Sequence, residues 1–75
     1  MTLDQVKKGS QVRIVSIGDG ISRAHLLRLG ISEGATVICQ EKLPMGPVIL
    51  RRKRQEVAVG RKLAKEIEVT LEGLE

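Results

Sequence analysis

Ser22-Arg23-Ala24-His25-Leu26-Leu27-Arg28-Leu29-Gly30-Ile31-Ser32-Glu33-Gly34-Ala35-Thr36-Val37 decides how the chain is read. At about 100° per residue, Leu26, Leu27 and Leu29 fall in one broad stripe. Arg28 and Ala24 lie opposite, with His25 at the margin. Gly30 stands where a left-handed residue closes a helix, because glycine takes positive φ without a Cβ penalty. Ile31 can then fold back on the last turn. Ser32-Glu33-Gly34 supplies a second turn, and Thr36-Val37-Ile38-Cys39 has the composition of a strand. The spacing predicts a helix over 22–29 that covers one opening of a small sheet or barrel.

Outward from that segment the pattern is mostly β. Before it, Thr2-x-x-Gln5 has capping-box spacing and Leu3 with Val6 gives one apolar turn, so a short helix is expected there. In Gln11 to Ile17, Val12 and Ile14 share one face and Val15 and Ile17 the other. A bulge near Ser16 would reconcile them. Gly18-Asp19-Gly20 reads as a turn, with Asp19 or Ser22 as helix cap. After the helix, strands are expected at 36–42, 48–54, 57–59 and 67–71. Pro44-Met45-Gly46-Pro47 forms a loop, since neither proline can donate to a ladder. Gln55-Glu56 is read as the turn after the third strand, and 60–65 as one helical or 3₁₀ turn. The expectation is a single domain over 1–75: mainly β, about five strands in a small, partly open barrel. Gly73-Leu74-Glu75 reads as an unpaired tail.

Seventy-five residues permit one thin core; at this size a domain buries only about 60–65% of its unfolded surface. Phe, Tyr and Trp are absent, so that core is built from Val, Ile and Leu, residues suited to strands. One cysteine excludes an internal disulfide and a cysteine-rich zinc knuckle. No apolar run approaches the roughly 20 residues of a membrane span, nor does any segment resemble a secretory signal, so a cytoplasmic protein is expected. The net charge of +4 is uneven. Arg51-Arg52-Lys53-Arg54 is followed by Arg61, Lys62 and Lys65, while Glu66, Glu68, Glu72 and Glu75 fill the last ten residues.

The ordered set Gly9-x-x-x-Arg13-Ile14, Leu26-Leu27-x-Leu29-Gly30-Ile31-x-x-Gly34, Pro44-x-Gly46-Pro47-Val48 and Val57-Ala58-Val59-Gly60-Arg61-x-x-Ala64-x-x-Ile67-x-Val69 resembles the FeoA (ferrous iron transport protein A) family over nearly the whole chain. The resemblance implies an SH3-like barrel with an inserted helix. It also implies an accessory role beside FeoB, the membrane ferrous-iron transporter with a GTP-binding domain. Gly46 precedes Pro47 where members often carry Asp, and Arg51–Gln55 replaces the usual alternation and glycine turn, so the hairpin tip is unusually basic. Similar domains end iron-dependent repressors of the diphtheria toxin repressor type; with no DNA-binding helices read ahead of the barrel in this sequence, a free-standing protein is expected.

No catalytic constellation appears. Cys39 shares a face with Val37 and reads as a small core hydrophobe, and His25 as a half-buried helix residue. A Cys-His nucleophile would need an orienting third group, and none is identifiable. Two soft ligands on separate elements make no metal site; no cofactor is required, although exposed carboxylates and His25 leave room for a weakly held iron or zinc ion. The expected core includes Leu26, Leu27, Leu29, Gly30, Val37, Cys39, Val48 and Leu50. The expected partner surface is the apolar loop Leu43, Met45 and Pro47, with Arg51, Arg52, Lys53 and Arg54 beside it. The competing class is a basic nucleic-acid-binding barrel, weakened by the lack of aromatic platforms worth about 1–3 kcal/mol per base. Self-association stays open.

Overall fold

The computed structural model describes residues 1–18 and 20–72, apart from the side chains of Ile21 and Ser22. A 3₁₀ turn (Leu3–Gln5) leads into β1 (Gln11–Ser16), α1 (Ile21–Arg28), β2 (Thr36–Lys42), β3 (Val48–Arg52), β4 (Gln55–Val59), the single turn α2 (Arg61–Ala64) and β5 (Glu68–Leu71). The strands form one antiparallel sheet in the order β4-β3-β2-β1-β5. The expected mainly β architecture, with an inserted helix near 22–29, is what the chain adopts. Its core is aliphatic, with Cys39 and Ala64 among the buried side chains and no buried polar residue among the described ones. No helix among the described residues is long and apolar enough to cross a membrane.

At the first turn, Gln5 Oε1 accepts the Thr2 N–H at 3.0 Å, as the capping-box spacing requires. Three residues suffice for a 3₁₀ turn but not for a helix. Its backbone then covers β5: Val69 N–H donates to Met1 O at 2.8 Å and Leu3 N–H to Ile67 O at 2.9 Å. In β1 the register against β5 slips between Ile14 and Ser16. The bulge leaves Val15 exposed and returns Ile17 to the core, reconciling the two faces.

Gly30, at φ +82°, ends α1. Ile31 N–H reaches back to Leu26 O at 2.9 Å and Gly30 N–H to Leu27 O at 3.1 Å. These two bonds form a Schellman stop, and the buried pair Leu26 and Ile31 supplies its apolar contact. The three-leucine stripe, however, does not hold. Leu26 is 1% exposed but Leu27 is 43% exposed, and Leu29 only packs against the edge of the core. Leu26 and Leu29 lie about 60° apart on a helical wheel, and Leu27 falls outside that narrow sector. Arg23, one turn before Leu26, takes the remaining inward place and bonds Glu33 and Ile17 O. The cap position of α1 is occupied by Gly20; Asp19, the Ser22 side chain and the tail at 73–75 lie outside the described residues.

The turn after β3 is also displaced from expectation. It consists of Lys53 and Arg54, with Arg52 paired to Gln55, so Gln55 and Glu56 belong to β4. Lys53 takes φ +58°, the positive φ that tight hairpins need to match strand twist. A second bulge interrupts β2 between Cys39 and Glu41.

Candidate functional site

The β2–β3 loop, 43–47, is built by one distant side chain. Leu43 N–H donates to Pro47 O at 3.2 Å, and Gly46 N–H to Leu43 O at 2.9 Å. Arg61, at the start of α2, donates Nε to Gly46 O at 2.7 Å and Nη2 to Leu43 O at 2.9 Å. Its guanidinium thus satisfies the Gly46 carbonyl and adds a second donor to the Leu43 carbonyl. In the sequence Arg61 counts as part of a basic strip; in the fold it is spent on the loop. Held this way, Met45 is 98% exposed and sits at φ +55°. A methionine there gives up side-chain burial and accepts a left-handed backbone costing roughly 1–2 kcal/mol. Nothing in the core is gained by it. Leu43 is exposed beside it, and Pro47 is half-buried.

The four cations of 51–54 do not form one face. Arg51 is exposed and donates Nε to Lys53 O at 3.2 Å. Arg52 is on the inner side with Val48 and Leu50, half-buried, its guanidinium against Gly30. Only Lys53 and Arg54 project at the tip, and neither forms an ion pair among the described residues. The apolar loop and this basic tip are also not neighbours. The loop precedes β3 and the tip follows it, and a five-residue strand at about 3.3 Å per residue separates them by roughly 16 Å.

Val37, Cys39, Val48 and Leu50 are buried as expected. Burial pushes the Cys39 thiol above its ordinary pKa, with Glu41 adding to the rise and Lys42 and Arg61 opposing it. His25 is exposed rather than half-buried. Among the described residues no group of three or more His, Cys, Asp and Glu side chains converges on a common point.

The ion pair of Arg23 and Glu33 is the feature that sequence reading missed. Arg23 Nη1 donates to Glu33 Oε2 at 2.6 Å and Nη2 to Oε1 at 3.1 Å. Ile17 N–H adds a bond of 3.3 Å to Oε2. The Arg23 hydrogen bonds are the main reason that the Glu33 carboxyl is lowered to about 2. This fork ties α1 to the following turn and to the end of β1. The two residues lie ten positions apart, so no helical or strand period could pair them.

The FeoA domain family model matches residues 1–71. A crystal structure described as an iron uptake regulatory protein (FeoA) is 30% identical, with a TM-score of 0.84, covering 95% of this chain and 96% of its own. The solution structure of FeoA from Chlorobium tepidum is 25% identical, with a TM-score of 0.85, over 95% of this chain and 70% of that one. A FeoA-like protein from Clostridium acetobutylicum is 25% identical, with a TM-score of 0.83, over 100% and 90% of the two chains. No curated protein matches at a significant level.

Proposed function

Because the chain belongs to the FeoA domain family, an accessory family of ferrous iron transport, we propose that it works by docking on the cytoplasmic part of a FeoB-type transporter. On this reading it carries out no chemistry and tunes transport or the GTP-linked cycle of its partner. One observation carries the proposal: Arg61 holds a loop that presents a strained, fully exposed Met45. Backbone strain retained without a packing return is characteristic of binding surfaces. Methionine adapts to varied apolar partner shapes. The cations at the hairpin tip act on approach, since rim charges mainly set association rate and salt dependence. Although the two features stand about 16 Å apart, a patch of about 800 Å² per partner would span both. The protein acts in the cytoplasm and needs no resident metal to fold; iron is the cargo of the transporter, held here at most weakly.

The test titrates labelled protein against the solubilised transporter, with and without guanine nucleotide. Met45→Gly is expected to weaken binding about tenfold by removing a buried anchor. The same substitution leaves stability nearly unchanged, because relief of about 1 kcal/mol of backbone strain is offset by the roughly 0.4–1 kcal/mol entropic cost of glycine. Salt-sensitive binding of single-stranded RNA or duplex DNA, without transporter binding, would replace this reading with the nucleic-acid one.

A further inference from the structure

The sheet has two edges, and the chain treats them differently. At β5 the backbone of residues 1–3 runs alongside and bonds Ile67 and Val69. At the other edge stands β4, which among the described residues pairs only with β3. Its two-residue turn makes Arg52 and Gln55 a hydrogen-bonded pair, so Leu50 with Val57 and Val48 with Val59 are bonded pairs as well. The alternate residues, Glu56 and Ala58, therefore direct their N–H and C=O groups away from the sheet. Among the described residues no backbone or side-chain group bonds them, and both residues are exposed. No proline or bulge interrupts β4. Both are among the means by which natural sheets blunt an edge, and here only the strand's five-residue length and Glu56 serve that end.

We infer that the outer edge of β4 accepts an extended segment of a partner protein as an added strand, with acidic residues at the segment's ends and small or apolar residues in its middle. The charge distribution selects this occupant. Lys53 and Arg54 flank one end of β4, and Lys62 lies exposed just past the other. Between them the lateral neighbour is Ala58, whose small side chain offers no obstacle. Glu56, on the outer face, engages the Gln40 amide and disfavours an acidic residue directly opposite it, which places the partner's acids at the ends. A second copy of this chain fits poorly. Two β4 strands paired antiparallel about a twofold axis would bring Lys53 and Arg54 of one copy against Lys62 of the other, and like charges so placed are repulsive. Main-chain bonds would supply affinity and the flanking cations the selectivity.

The inference deepens the docking reading above and rests on it only for the identity of the partner. The test uses a capped peptide, Glu-Glu-Thr-Val-Thr-Val-Thr-Glu-Glu, its Lys-for-Glu counterpart and an oligouridine. The acidic peptide is expected to slow amide exchange at Glu56 and Ala58 about tenfold when supplied at ten times its Kd. Neighbouring Val57, already bonded to β3, changes little. Ala58→Pro deletes an outward donor without removing a ladder bond and should weaken the peptide about tenfold or more, while Ala58→Val stays within about threefold. If the proline variant fails to fold, the exchange pattern of the unmodified protein decides. Protection absent at Glu56 and Ala58, equal binding of the lysine peptide, or oligouridine binding alone overturns the inference. Peptide binding without transporter binding leaves the edge standing and removes the transporter reading; transporter binding indifferent to Ala58→Pro does the reverse.

Discussion

A Cβ placed on Gly30 would stand 2.9 Å from the Nη1 of Arg52. The helix stop and the basic hairpin, separate motifs in the sequence, thus meet in space. Arg52 lies where the exposed carbonyls of the α1 C-terminus favour a cation. Gly30→Ala is expected to lower stability by about 1–2 kcal/mol, chiefly through the left-handed backbone at φ +82°. Arg52 can move its flexible end, so Gly30→Ala with Arg52→Ala should recover little of that loss. Urea unfolding of the single and double variants checks this.

Leu26 and Leu27 are neighbours in sequence with opposite fates. Leu26→Ala should cost about 2–5 kcal/mol, as buried leucines do in a close-packed core. Leu27→Ala should stay within about 0.5 kcal/mol, the range of ordinary surface substitutions. Thermal unfolding of both variants separates the two expectations.

Arg61→Gln should release the β2–β3 loop by removing the charged donors to Leu43 O and Gly46 O. Hydrogen bonds to charged groups contribute about 1.5–3 kcal/mol when buried, and partial exposure here reduces the effect to about 1 kcal/mol. The loop bond from Gly46 N–H to Leu43 O should then exchange faster by hydrogen–deuterium measurement, with the sheet amides unchanged.

Glu33 makes stability fall in acid. Its carboxyl titrates near 4.5 when the chain is unfolded and near 2 when Arg23 holds it in the fold. A depressed folded value means that the contribution is complete above 4.5 and lost as pH falls toward 2. Glu33→Gln should flatten this part of the stability curve. Urea midpoints measured across that acid range check the sign.

The parts legible in the sequence were those fixed by local chemistry. Gly30 announced the helix stop, the two prolines the loop at 43–47, and the clashing phases of Val12–Ile17 the first bulge. Other features depended on meetings between distant residues. Arg23 with Glu33 follows no period, so nothing in the sequence pairs them, and the inward place that Arg23 takes goes to Leu27 in the sequence reading. The sequence pattern places the hairpin turn two residues late because Lys53 and Arg54 are neither glycine nor asparagine, the residues that ordinarily mark positive φ. Arg61 looked like part of a basic strip because its partners are backbone carbonyls. The bulge at Gln40 carried no signal of its own.

β1 sits between β2 and β5, and its Val12 and Ile14 face Leu71 and Val69. For a chain leaving the ribosome, the second neighbour of its first strand, Glu68–Leu71, is therefore made long after Gln11–Ser16. At about 5–20 residues per second the nascent chain waits several seconds with β1 half-paired. Leu3 and Val6 meanwhile lack the wall that Ile67 and Val69 later provide. The sheet accordingly cannot close around β1 until residues 68–71 have emerged. A stalled or prematurely ended chain would present an aliphatic surface to chaperones and proteases.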